Sequence, residues 1–489
     1  MKVTIQNLGA IQSAEIDLKP LTVLIGPNNA GKTWMAYTLA GIFGSHGLNT
    51  YASAYVGRKF EKKYPPLDNA IEQILSTGKT TINLVEFAEQ YGESYFQSVA
   101  RYAQLWMPDF MSTQFDVFDK MEISINLAES KALFLEQVKQ SSLQVDVAHG
   151  TLKVSKKRGN PILQAYTSAE NEESITEQIP SEEIKERLVR NVMRILHQAL
   201  YSEIHVFPTE RTTLVTFRLG SAKTQVVMNE KAREVFEAFT NALQRLRDLS
   251  EAEIEDFIAP EPQQGIGPIG YFLSMLGEVF QISPKEIRKR EKGVQSNPKI
   301  KKYQQLAQVL EEEILDGNLD FSTPEPNARR DMLFYPRKNV ALEMSIVSSM
   351  VKELAPLVLY LRYIAQPDEL LIIDEPEMNL HPEAQAKMIE FLCMLVNAGL
   401  RVLVTTHSTY IVDQLTNLIY AAQLETEKQK SLAEVFFLEN ESAFIPQEKV
   451  SVYCVENGTA ESILRENGRM DWDTFSNVSN RIANIHSIM

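Results

Sequence analysis

The sequence predicts an α/β fold with an antiparallel β portion near its start and a helical insertion in its middle. Two segments carry the α/β prediction. The apolar run Leu21–Ile25 leads through a glycine-containing loop into an apolar, proline-free stretch, residues 34–43, that is typical of a helix. Much later, a second predicted strand, 369–373, is apolar after its first residue and ends in the acidic pair Asp374 and Glu375. Ligand sites of α/β folds lie at the carboxyl ends of such strands, so the two segments predict one shared site.

Composition limits the kind of protein. The chain has 489 residues, of which 44% are hydrophobic and 23% are charged, and these proportions are ordinary for a soluble globular protein. The length has room for about two to four domain-sized units, or for one composite domain with insertions. The formal net charge of −15 argues against a large, uniformly basic nucleic-acid surface. A local basic stripe stays open, so any contact with DNA is expected to be local or made by a partner.

Cysteine usage and hydropathy indicate the compartment. The two cysteines, Cys393 and Cys454, stand in apolar surroundings and are best interpreted as reduced core residues of a cytosolic protein. No apolar run approaches the roughly 18 residues that span a bilayer. Residues 1–5 begin directly as a strand and lack the features of a signal peptide. We therefore expect a cytoplasmic protein without a membrane partner.

The loop after the first apolar strand has the spacing of a phosphate-binding site. Residues 26–33 fit the pattern G-x-x-x-x-G-K-[ST]. Glycines allow unusual dihedral angles that bring backbone N–H groups close to phosphate oxygens, and the following helix N-terminus adds partial positive charge. Lys32 is expected to reach the β and γ phosphates, and the Thr33 hydroxyl to bind Mg²⁺. The predicted nucleotide-binding residues of the loop are Gly26, Asn28, Asn29, Gly31, Lys32 and Thr33.

The rest of the first half alternates between β and helical patterns. Residues 1–25 predict a short antiparallel sheet that leads into the loop. Residues 45–118 are helical in length and composition, whereas residues 121–167 return to strand-like alternation. A helix over 182–201, with apolar residues at helical spacing, precedes a strand at 204–207. The first half therefore predicts several insertions around the loop-bearing strand.

The middle of the chain predicts an inserted helical unit. Residues 250–253 and 283–286 both match the S/T-x-x-E capping box, and the second has proline at the favoured first position. No heptad pattern lasts several repeats, which favours a short helical wing over a long coiled coil. The densest basic run lies here; such a run is usually a solvated helix face, and it is the first place to look for contact with DNA or an acidic partner. It comprises Lys285, Arg288, Lys289, Arg290, Lys292, Lys299, Lys301 and Lys302.

The end of the second apolar strand supplies residues that complement the loop. Asp374 is expected to hold Mg²⁺, largely through water, and Glu375 is placed to polarise the attacking water. A further predicted strand, 401–405, is followed closely by His407. A histidine at a strand end beside a nucleotide can hydrogen-bond the γ-phosphate and respond to its departure. The predicted catalytic residues are Lys32, Glu375 and His407, and the predicted metal ligands are Thr33 and Asp374.

Together these motifs resemble those of the ABC-type ATPases. Residues 26–33 correspond to Walker A, 370–375 to Walker B, 376–382 to the D-loop and 405–408 to the segment of the switch histidine. Residues 374–382 resemble more narrowly the branch that contains the overcoming-lysogenization-defect (OLD) nucleases and SMC-like bacterial defence ATPases. The resemblance implies an ABC-type P-loop ATPase with ATP and Mg²⁺ as its ligands. The preference for ATP over GTP is implied by the family alone.

Two further segments match this branch less closely. Residues 345–354 stand where the branch carries its signature helix, and the resemblance implies that Ser348 or Ser349 contacts the γ-phosphate held by the opposite protomer. The usual glycine of that signature is replaced here by methionine. Residues 208–211 resemble the P-x-E-R segment near the Q-loop position. Its glutamate or arginine is expected on the metal or γ-phosphate side.

The resemblance also implies an assembly and a division of the chain. ABC-type ATPases sandwich two nucleotides between two chains, so we expect at least a homodimer in which ATP favours closure and hydrolysis favours opening. We expect an N-terminal ATPase lobe with helical and β insertions (1–220) and a helical insertion (221–325). The C-terminal ATPase lobe (326–489) would carry the signature, Walker B, the D-loop and the switch histidine.

The biological role implied by the resemblance is control of a separate effector. The residues after His407 show neither a clustered acidic D-x-D pattern nor an H-N-H or other nuclease constellation, so the Toprim nuclease of this branch is expected on another polypeptide. Split ATPase-plus-effector systems occur in anti-phage defence of the PARIS type, whose AriA subunits are such ATPases, and of the Septu type. In the PARIS type, a phage protein triggers release of the nuclease.

Two other functional classes stay open. A DNA-repair or chromosome-maintenance ATPase that resembles the RecF and SMC groups would need a DNA-binding channel or long arms, and the acidity and missing heptads count against it. The nucleotide-binding subunit of a transporter would need a coupling surface for a membrane partner and an intact glycine-rich signature. The large helical insertion counts against that class.

Overall fold

A computed structural model gives the structure of the chain. It describes residues 1–59, 63–113, 117–146, 152–167, 181–219, 267–282, 286–287, 290, 298–321, 332–336 and 340–470. The strands are β1 (Lys2–Leu8), β2 (Ile11–Asp17), β3 (Leu21–Ile25), β4 (Lys79–Asn83), β5 (Glu122–Asn126), β6 (Leu143–Asp146), β7 (Lys153–Lys156), β8 (Ile162–Tyr166), β9 (Ile204–Phe207), β10 (Gly317–Phe321), β11 (Met332–Pro336), β12 (Leu342–Glu343), β13 (Leu370–Asp374), β14 (Arg401–Thr406), β15 (Val450–Glu456) and β16 (Thr459–Ser462). The helices are α1 (Lys32–Phe43), α2 (Ser45–Val56), α3 (Pro65–Thr77), α4 (Leu84–Met111), α5 (Lys131–Gln140), α6 (Ser181–Leu200), α7 (Arg211–Leu219), α8 (Pro268–Gln281), α9 (Pro298–Val309), α10 (Ser349–Tyr363), α11 (Pro382–Asn397), α12 (Thr409–Ala422) and α13 (Thr426–Ala433).

All of the described strands that lie outside two small sheets build one large mixed sheet. These nine strands lie in the order β5-β1-β2-β16-β15-β3-β14-β13-β9. The strands β15, β3, β14, β13 and β9 run parallel, whereas β1 is antiparallel to both β2 and β5. The predicted α/β fold with an antiparallel β portion is confirmed. The antiparallel pair predicted within residues 1–25 belongs to this larger sheet.

The parallel strands are buried on both of their faces. Every residue of β3 and β13 is buried, as is typical of parallel strands covered by helices. Because side chains alternate along a strand, Leu24 packs into the core formed with α1, α2, α4 and α6, while Val23 and Ile25 pack into the core formed with α10, α11 and α12. The sheet is therefore the middle layer between two helical layers.

Two predictions for the first half are wrong in part. Residues 45–118 are not helical throughout, because β4 interrupts the helices and pairs with β8 in a small sheet of order β4-β8-β7-β6. Within residues 121–167, helix α5 interrupts the predicted strands. β4 gains its hydrogen bonds from β8, which lies far along the chain, and β structure of this kind depends on neighbours more than on local composition. The helix predicted over 182–201 is confirmed as α6.

The predicted helical insertion is described only in part. Helices α8 and α9 lie within it. The capping box at 250–253 lies outside the described residues, as do the first three residues of the box at 283–286 and four of the eight residues of the basic run. One residue of the basic run, Arg290, donates hydrogen bonds to the carbonyl oxygens of Arg362, Ile364 and Ala365. This arginine therefore supports the end of α10, and it is not simply part of a solvated helix face.

The two cysteines are free, and their burial differs. Cys393 is buried in α11, whereas Cys454 in β15 is partly exposed. The expectation of two core cysteines therefore holds fully for Cys393 only. Among the helices that the structure describes, none combines the length and the apolar character that crossing a membrane requires.

Candidate active site

The predicted phosphate loop forms a tight turn between β3 and α1. Gly26 has φ 155° and Gly31 has φ 100°, both in the region that favours glycine. A Cβ atom on Gly26 would lie 2.1 Å from the carbonyl oxygen of Val455 in β15, so the loop packs too closely for a side chain there. Asn28 and Asn29 are exposed. Helix α1 begins at Lys32, within the last residues of the loop, and its first backbone N–H groups are suited to bind an anion.

Lys32 lies folded over this loop. Its Nζ donates hydrogen bonds to the carbonyl oxygens of Gly26, at 2.9 Å, and of Pro27, at 2.8 Å. The residue is only 5% exposed. Burial lowers the pKa of Lys32, while the carboxylates of Glu375 and Asp374 oppose that shift. The lysine is therefore coupled electrostatically to both acidic residues at the end of β13.

Asp374 connects the phosphate loop to the neighbouring strands. Its Oδ1 accepts a hydrogen bond from the Thr33 hydroxyl at 3.0 Å, and its Oδ2 accepts one from the Tyr37 hydroxyl at 3.1 Å. The Thr405 hydroxyl, near the end of β14, also donates to Oδ1. Burial raises the pKa of Asp374, although these three donors act in the opposite direction. Since β14 lies between β3 and β13, residues from both sides of β14 meet at this carboxylate.

The donor set around Asp374 fits Mg²⁺. This hard cation prefers oxygen ligands and is usually bound through one or two carboxylates together with substrate and water oxygens. The Asp374 carboxylate and the Thr33 hydroxyl supply two such oxygens 3.0 Å apart. Burial disfavours the charged form of the Asp374 carboxyl group, and a cation beside it would favour that charged form. The residues present therefore suit magnesium.

Glu375 and His407 form a pair beside this carboxylate. His407 Nε2 lies 2.9 Å from Glu375 Oε1. The hydrogen bond from His407 lowers the pKa of Glu375, and the same bond raises the pKa of His407. Glu375 has φ 49°, in the left-handed region that non-glycine residues rarely adopt, and its N–H donates to the Thr405 carbonyl at 3.0 Å. The glutamate is therefore kept ionised and oriented by its neighbours.

Glu377, in the predicted D-loop segment 376–382, holds the chain around the histidine. Its carboxylate accepts hydrogen bonds from the Thr406 hydroxyl at 2.6 Å and from the backbone N–H of His407 at 2.8 Å. Burial raises the pKa of Glu377, and these donors counteract that shift. His407 Nδ1 is buried and has no hydrogen-bond partner among the described residues. The histidine is thus positioned through its backbone and through Nε2.

Sequence reasoning missed Tyr37 and Glu377 and assigned no metal-side role to Thr405. A signal for Tyr37 was present, because it follows Thr33 by four residues and the two therefore lie on one face of α1. The signal for Glu377 was weaker. Only its position shortly after Glu375 suggested a place near the site, and nothing local indicated that its partners would come from the end of β14.

The arginine of the P-x-E-R segment, Arg211, contacts backbone carbonyl groups. Arg211 is 2% exposed, and its guanidinium donates to the carbonyl oxygens of Asp374 at 2.6 Å and Glu375 at 2.9 Å. It also forms an ion pair with Glu353 of α10. The structure therefore places Arg211 against the backbone of the acidic strand end, whereas either this arginine or Glu210 was expected on the metal or γ-phosphate side. The neighbouring Glu210 is exposed.

The predicted signature serines lie at the start of α10. Ser348 is the N-cap residue of this helix, and its hydroxyl accepts a hydrogen bond from the Val351 N–H at 3.4 Å. Both Ser348 and Ser349 are exposed. In the part of the chain that the structure describes, neither serine is hydrogen-bonded to the residues around Asp374. The structure brings together Lys32, Thr33, Asp374, Glu375 and His407, and it leaves Ser348 and Ser349 on the surface.

The solved structures that resemble this chain include two Smc head domains. The structure of an SmcHead bound to the C-winged helix domain of ScpA aligns with a TM-score of 0.36 and 8% identity, over 94% of this chain and 96% of that chain. An Smc head domain with an extended coiled coil, bound to the C-terminal domain of ScpA derived from Pyrococcus furiosus, aligns with a TM-score of 0.32 and 9% identity, over 99% and 98%. The comparison with curated proteins gives no match. The family model described as "AAA ATPase domain" matches residues 1–412, and the chain therefore belongs to the AAA ATPase domain family.

Proposed function

We propose that the chain binds ATP with Mg²⁺ and hydrolyses it to ADP and phosphate. The observation that carries this proposal is the contact between the Thr33 hydroxyl and Asp374, 3.0 Å apart, which connects the phosphate loop to the acidic end of β13. A glycine loop at a helix N-terminus binds phosphates, and its threonine hydroxyl binds the magnesium ion of the same nucleotide. Membership in the AAA ATPase domain family supports the same reaction.

In this proposal the phosphates bind to the loop and to Lys32. The Lys32 ammonium, which now donates to two loop carbonyls, turns toward the β and γ phosphates. Backbone N–H groups of the loop supply the remaining donors, from Gly26, Asn28, Asn29 and Gly31. Thr33 and Asp374 would hold Mg²⁺, which when bound neutralises charge on the phosphate oxygens.

Glu375 is proposed to orient and polarise the attacking water. A general base must be ionised at the working pH, and the hydrogen bond from His407 lowers the pKa of Glu375 accordingly. The side chains of His407 and Glu375 are 29% and 21% exposed, so both can meet a substrate. His407 is proposed to donate a hydrogen bond from Nε2–H to the γ-phosphate once the nucleotide is in place.

Two substitutions in the purified full chain test the proposal. Lys32→Ala is expected to abolish binding of a fluorescent ATP analogue, because the phosphate charge loses its ammonium partner. Lys387→Ala, which removes a lysine of α11 that pairs with Glu383, is the matched control and is expected to bind normally. Glu375→Gln is expected to retain ATP in an unhydrolysed state. Equal ATP turnover by wild type and Glu375→Gln would reject the assignment.

We further propose that two chains sandwich the nucleotides. The exposed hydroxyls of Ser348 and Ser349 support this, because they stand at a helix N-terminus, which can face a phosphate held by a second chain. In light scattering, Glu375→Gln with ATP is expected to shift from monomer to dimer mass. Adding Ser348→Ala and Ser349→Ala should prevent the shift while ATP binding persists. A Glu375→Gln chain that stays monomeric with saturating ATP would contradict the sandwich.

The proposed biological role is that of a sensor subunit that controls a separate nuclease effector in anti-phage defence. The resemblance of residues 374–382 to OLD-like defence ATPases supports this role, with the AriA ATPases of PARIS systems as the first model and Septu-type ATPases as the second. An SMC- or RecF-like repair ATPase is the alternative, and a transporter subunit is a weaker one. Pull-down of the product of a neighbouring gene, followed by sizing, separates them: a Toprim nuclease supports defence, whereas a recombination protein or a permease contradicts it.

A further inference from the structure

Helix α10 is held near each end by an arginine–glutamate pair, which is buried at the start of the helix and partly buried at its end. Near its start, Glu353 pairs with Arg211, and their side chains are 0% and 2% exposed. Near its end, Arg362 pairs with Glu311, and their side chains are 23% and 3% exposed. The two pairs have the same chemistry, but they connect α10 to different parts of the molecule.

Arg211 connects three elements through one guanidinium. It donates to the carbonyl oxygen of Pro208 at 2.7 Å, just after β9, and to those of Asp374 at 2.6 Å and Glu375 at 2.9 Å, at the end of β13. Glu353 of α10 supplies the ionic partner. A guanidinium carries five N–H donors in a fixed plane, whereas a lysine ammonium is a compact charge with rotatable donors. Only arginine can therefore hold this set of acceptors in one geometry.

The carbonyl of Glu375 is a sensitive place for such a contact. Glu375 has φ 49°, a backbone conformation that is costly for a non-glycine residue and persists only where the surroundings hold it. Arg211 binds the carbonyl of this residue, and Thr405 accepts its N–H at 3.0 Å. Together these contacts set the direction in which the Glu375 side chain leaves the strand.

Glu353 connects the same contact to the exposed start of α10. It follows Ser349 by about one helical turn. Its carboxylate also accepts hydrogen bonds from the Thr212 hydroxyl and, at 3.5 Å, from the Asn379 amide of the D-loop segment. Asn379 has a positive φ of 60° as well. A displacement of the start of α10 therefore reaches both Arg211 and the D-loop segment.

We propose that the Arg211–Glu353 pair is a positioning device that couples the start of α10 to the orientation of Glu375. This inference rests on the proposed ATPase function, because it assigns the attacking water to Glu375. The competing explanation is packing alone, since breaking a buried ion pair destabilises a fold whatever else it does.

The pair at the other end of α10 separates the two explanations. Arg362 donates to the Leu319 carbonyl at 2.8 Å, and Glu311 accepts the Leu319 N–H at 2.6 Å. Within the described residues, neither Arg362 nor Glu311 is hydrogen-bonded to β13. This pair therefore reproduces the arginine–glutamate ion pair and the arginine–carbonyl contact of Arg211–Glu353 without the connection to Glu375, although Arg362 is more exposed than Arg211.

The first test compares the two pairs in single-turnover hydrolysis by the full chain. Arg211→Lys and Glu353→Gln are expected to slow hydrolysis per folded molecule by about 10- to 100-fold, because small misplacement of a catalytic group has effects of this size. Binding of a fluorescent ATP analogue should change much less. The controls Arg362→Lys and Glu311→Gln should lower the melting temperature and leave the rate per folded molecule unchanged. Equal rates in both pairs of variants would overturn the proposal.

A second measurement does not depend on hydrolysis. Hydrogen–deuterium exchange of peptides that cover residues 374–379 is expected to be faster in Arg211→Lys and Glu353→Gln than in wild type, and unchanged in Arg362→Lys and Glu311→Gln. Thr212→Val, which removes one donor to Glu353, is a milder variant in case Glu353→Gln fails to fold. Exchange that is unchanged in all the variants would overturn the coupling. If the wild-type chain shows no ATP turnover, and exchange is still faster in Arg211→Lys than in wild type, the result counts against the ATPase function and supports the coupling.

Discussion

The two ends of the parallel strands carry the same pair of side chains in different settings. Near the carboxyl end of β13, His407 Nε2 lies 2.9 Å from Glu375, and the two side chains are 29% and 21% exposed. At the amino end, His205 Nε2 lies 3.6 Å from Glu369, and the side chains are 5% and 2% exposed. Glu369 also accepts hydrogen bonds from the Tyr360 hydroxyl and from the Gln366 N–H at 2.9 Å.

The difference shows how burial assigns a role to a histidine–glutamate pair. At the amino end, the carboxylate of Glu369 is occupied by interior donors, so the pair serves the packing between β9, β13 and α10. Burial acts to lower the pKa of His205, but Glu369 and Glu203 outweigh it and raise this pKa. At the carboxyl end, Glu375 follows its strand in a strained turn and keeps part of its surface exposed. That pair remains accessible to a substrate.

The largest expected difference between the two ends is in catalysis. Glu375→Gln should lower the steady-state turnover of ATP by roughly 10²- to 10⁴-fold, because a general base contributes an acceleration of this order. Glu369→Gln should leave turnover per folded molecule unchanged. A coupled assay of ADP release, normalised to the folded fraction, measures both. Similar losses in the two variants would mean that the two ends do not differ in role.

The second expected difference is in stability, where Glu369→Gln should have the larger effect and Glu375→Gln the smaller. Glu369→Gln should reduce the free energy of unfolding by about 1–3 kcal/mol, because it removes a buried charge-assisted acceptor whose donors stay in place. Glu375→Gln should change it by less than about 0.5 kcal/mol, since partly exposed substitutions have small effects. Urea unfolding followed by circular dichroism gives both values. A larger loss in Glu375→Gln would contradict the assignment of the buried pair to packing.

The third difference concerns pH. Turnover should fall as the pH drops through the pKa of Glu375, because the base must be ionised, and His407 holds this pKa below its usual range. In His407→Ala the pKa of Glu375 rises, so the fall should begin at a higher pH than in wild type. His205→Gln should leave the position of this acid limb unchanged. An acid limb that His407→Ala does not move would show that another group controls it.

The smallest expected difference concerns the tyrosine at each end. Tyr37 donates to Asp374 and Tyr360 donates to Glu369. Tyr37→Phe should raise the Mg²⁺ concentration for half-maximal turnover by roughly 3- to 10-fold, in keeping with the roughly 0.5–1.5 kcal/mol that a typical intramolecular hydrogen bond contributes. Tyr360→Phe should affect melting temperature and not the Mg²⁺ requirement. A magnesium titration of each variant, with melting curves alongside, distinguishes the two outcomes.

Features whose chemistry depends on consecutive residues were predictable. The phosphate loop, the acidic pair at the end of β13 and the position of His407 all follow from short patterns, because each pattern contains its own functional groups. The strand β4 and the direction of Arg211 were not predictable in this way. β4 pairs with β8, and Arg211 turns toward Glu353 and the carbonyls of Asp374 and Glu375, partners that lie far along the chain.

The order of residues alone indicates a glycine–lysine–threonine loop, buried parallel strands and an acidic strand end, because local patterns specify dihedral angles, burial and the available charges. Packing of the sheet makes the remaining assignments. It places β14 between β3 and β13, so that Thr33, Thr405 and Asp374 meet. It also leaves the His407–Glu375 pair accessible and buries the His205–Glu369 pair in the interior. Strand neighbours are chosen by contacts between distant segments, and a short pattern carries no information about those contacts.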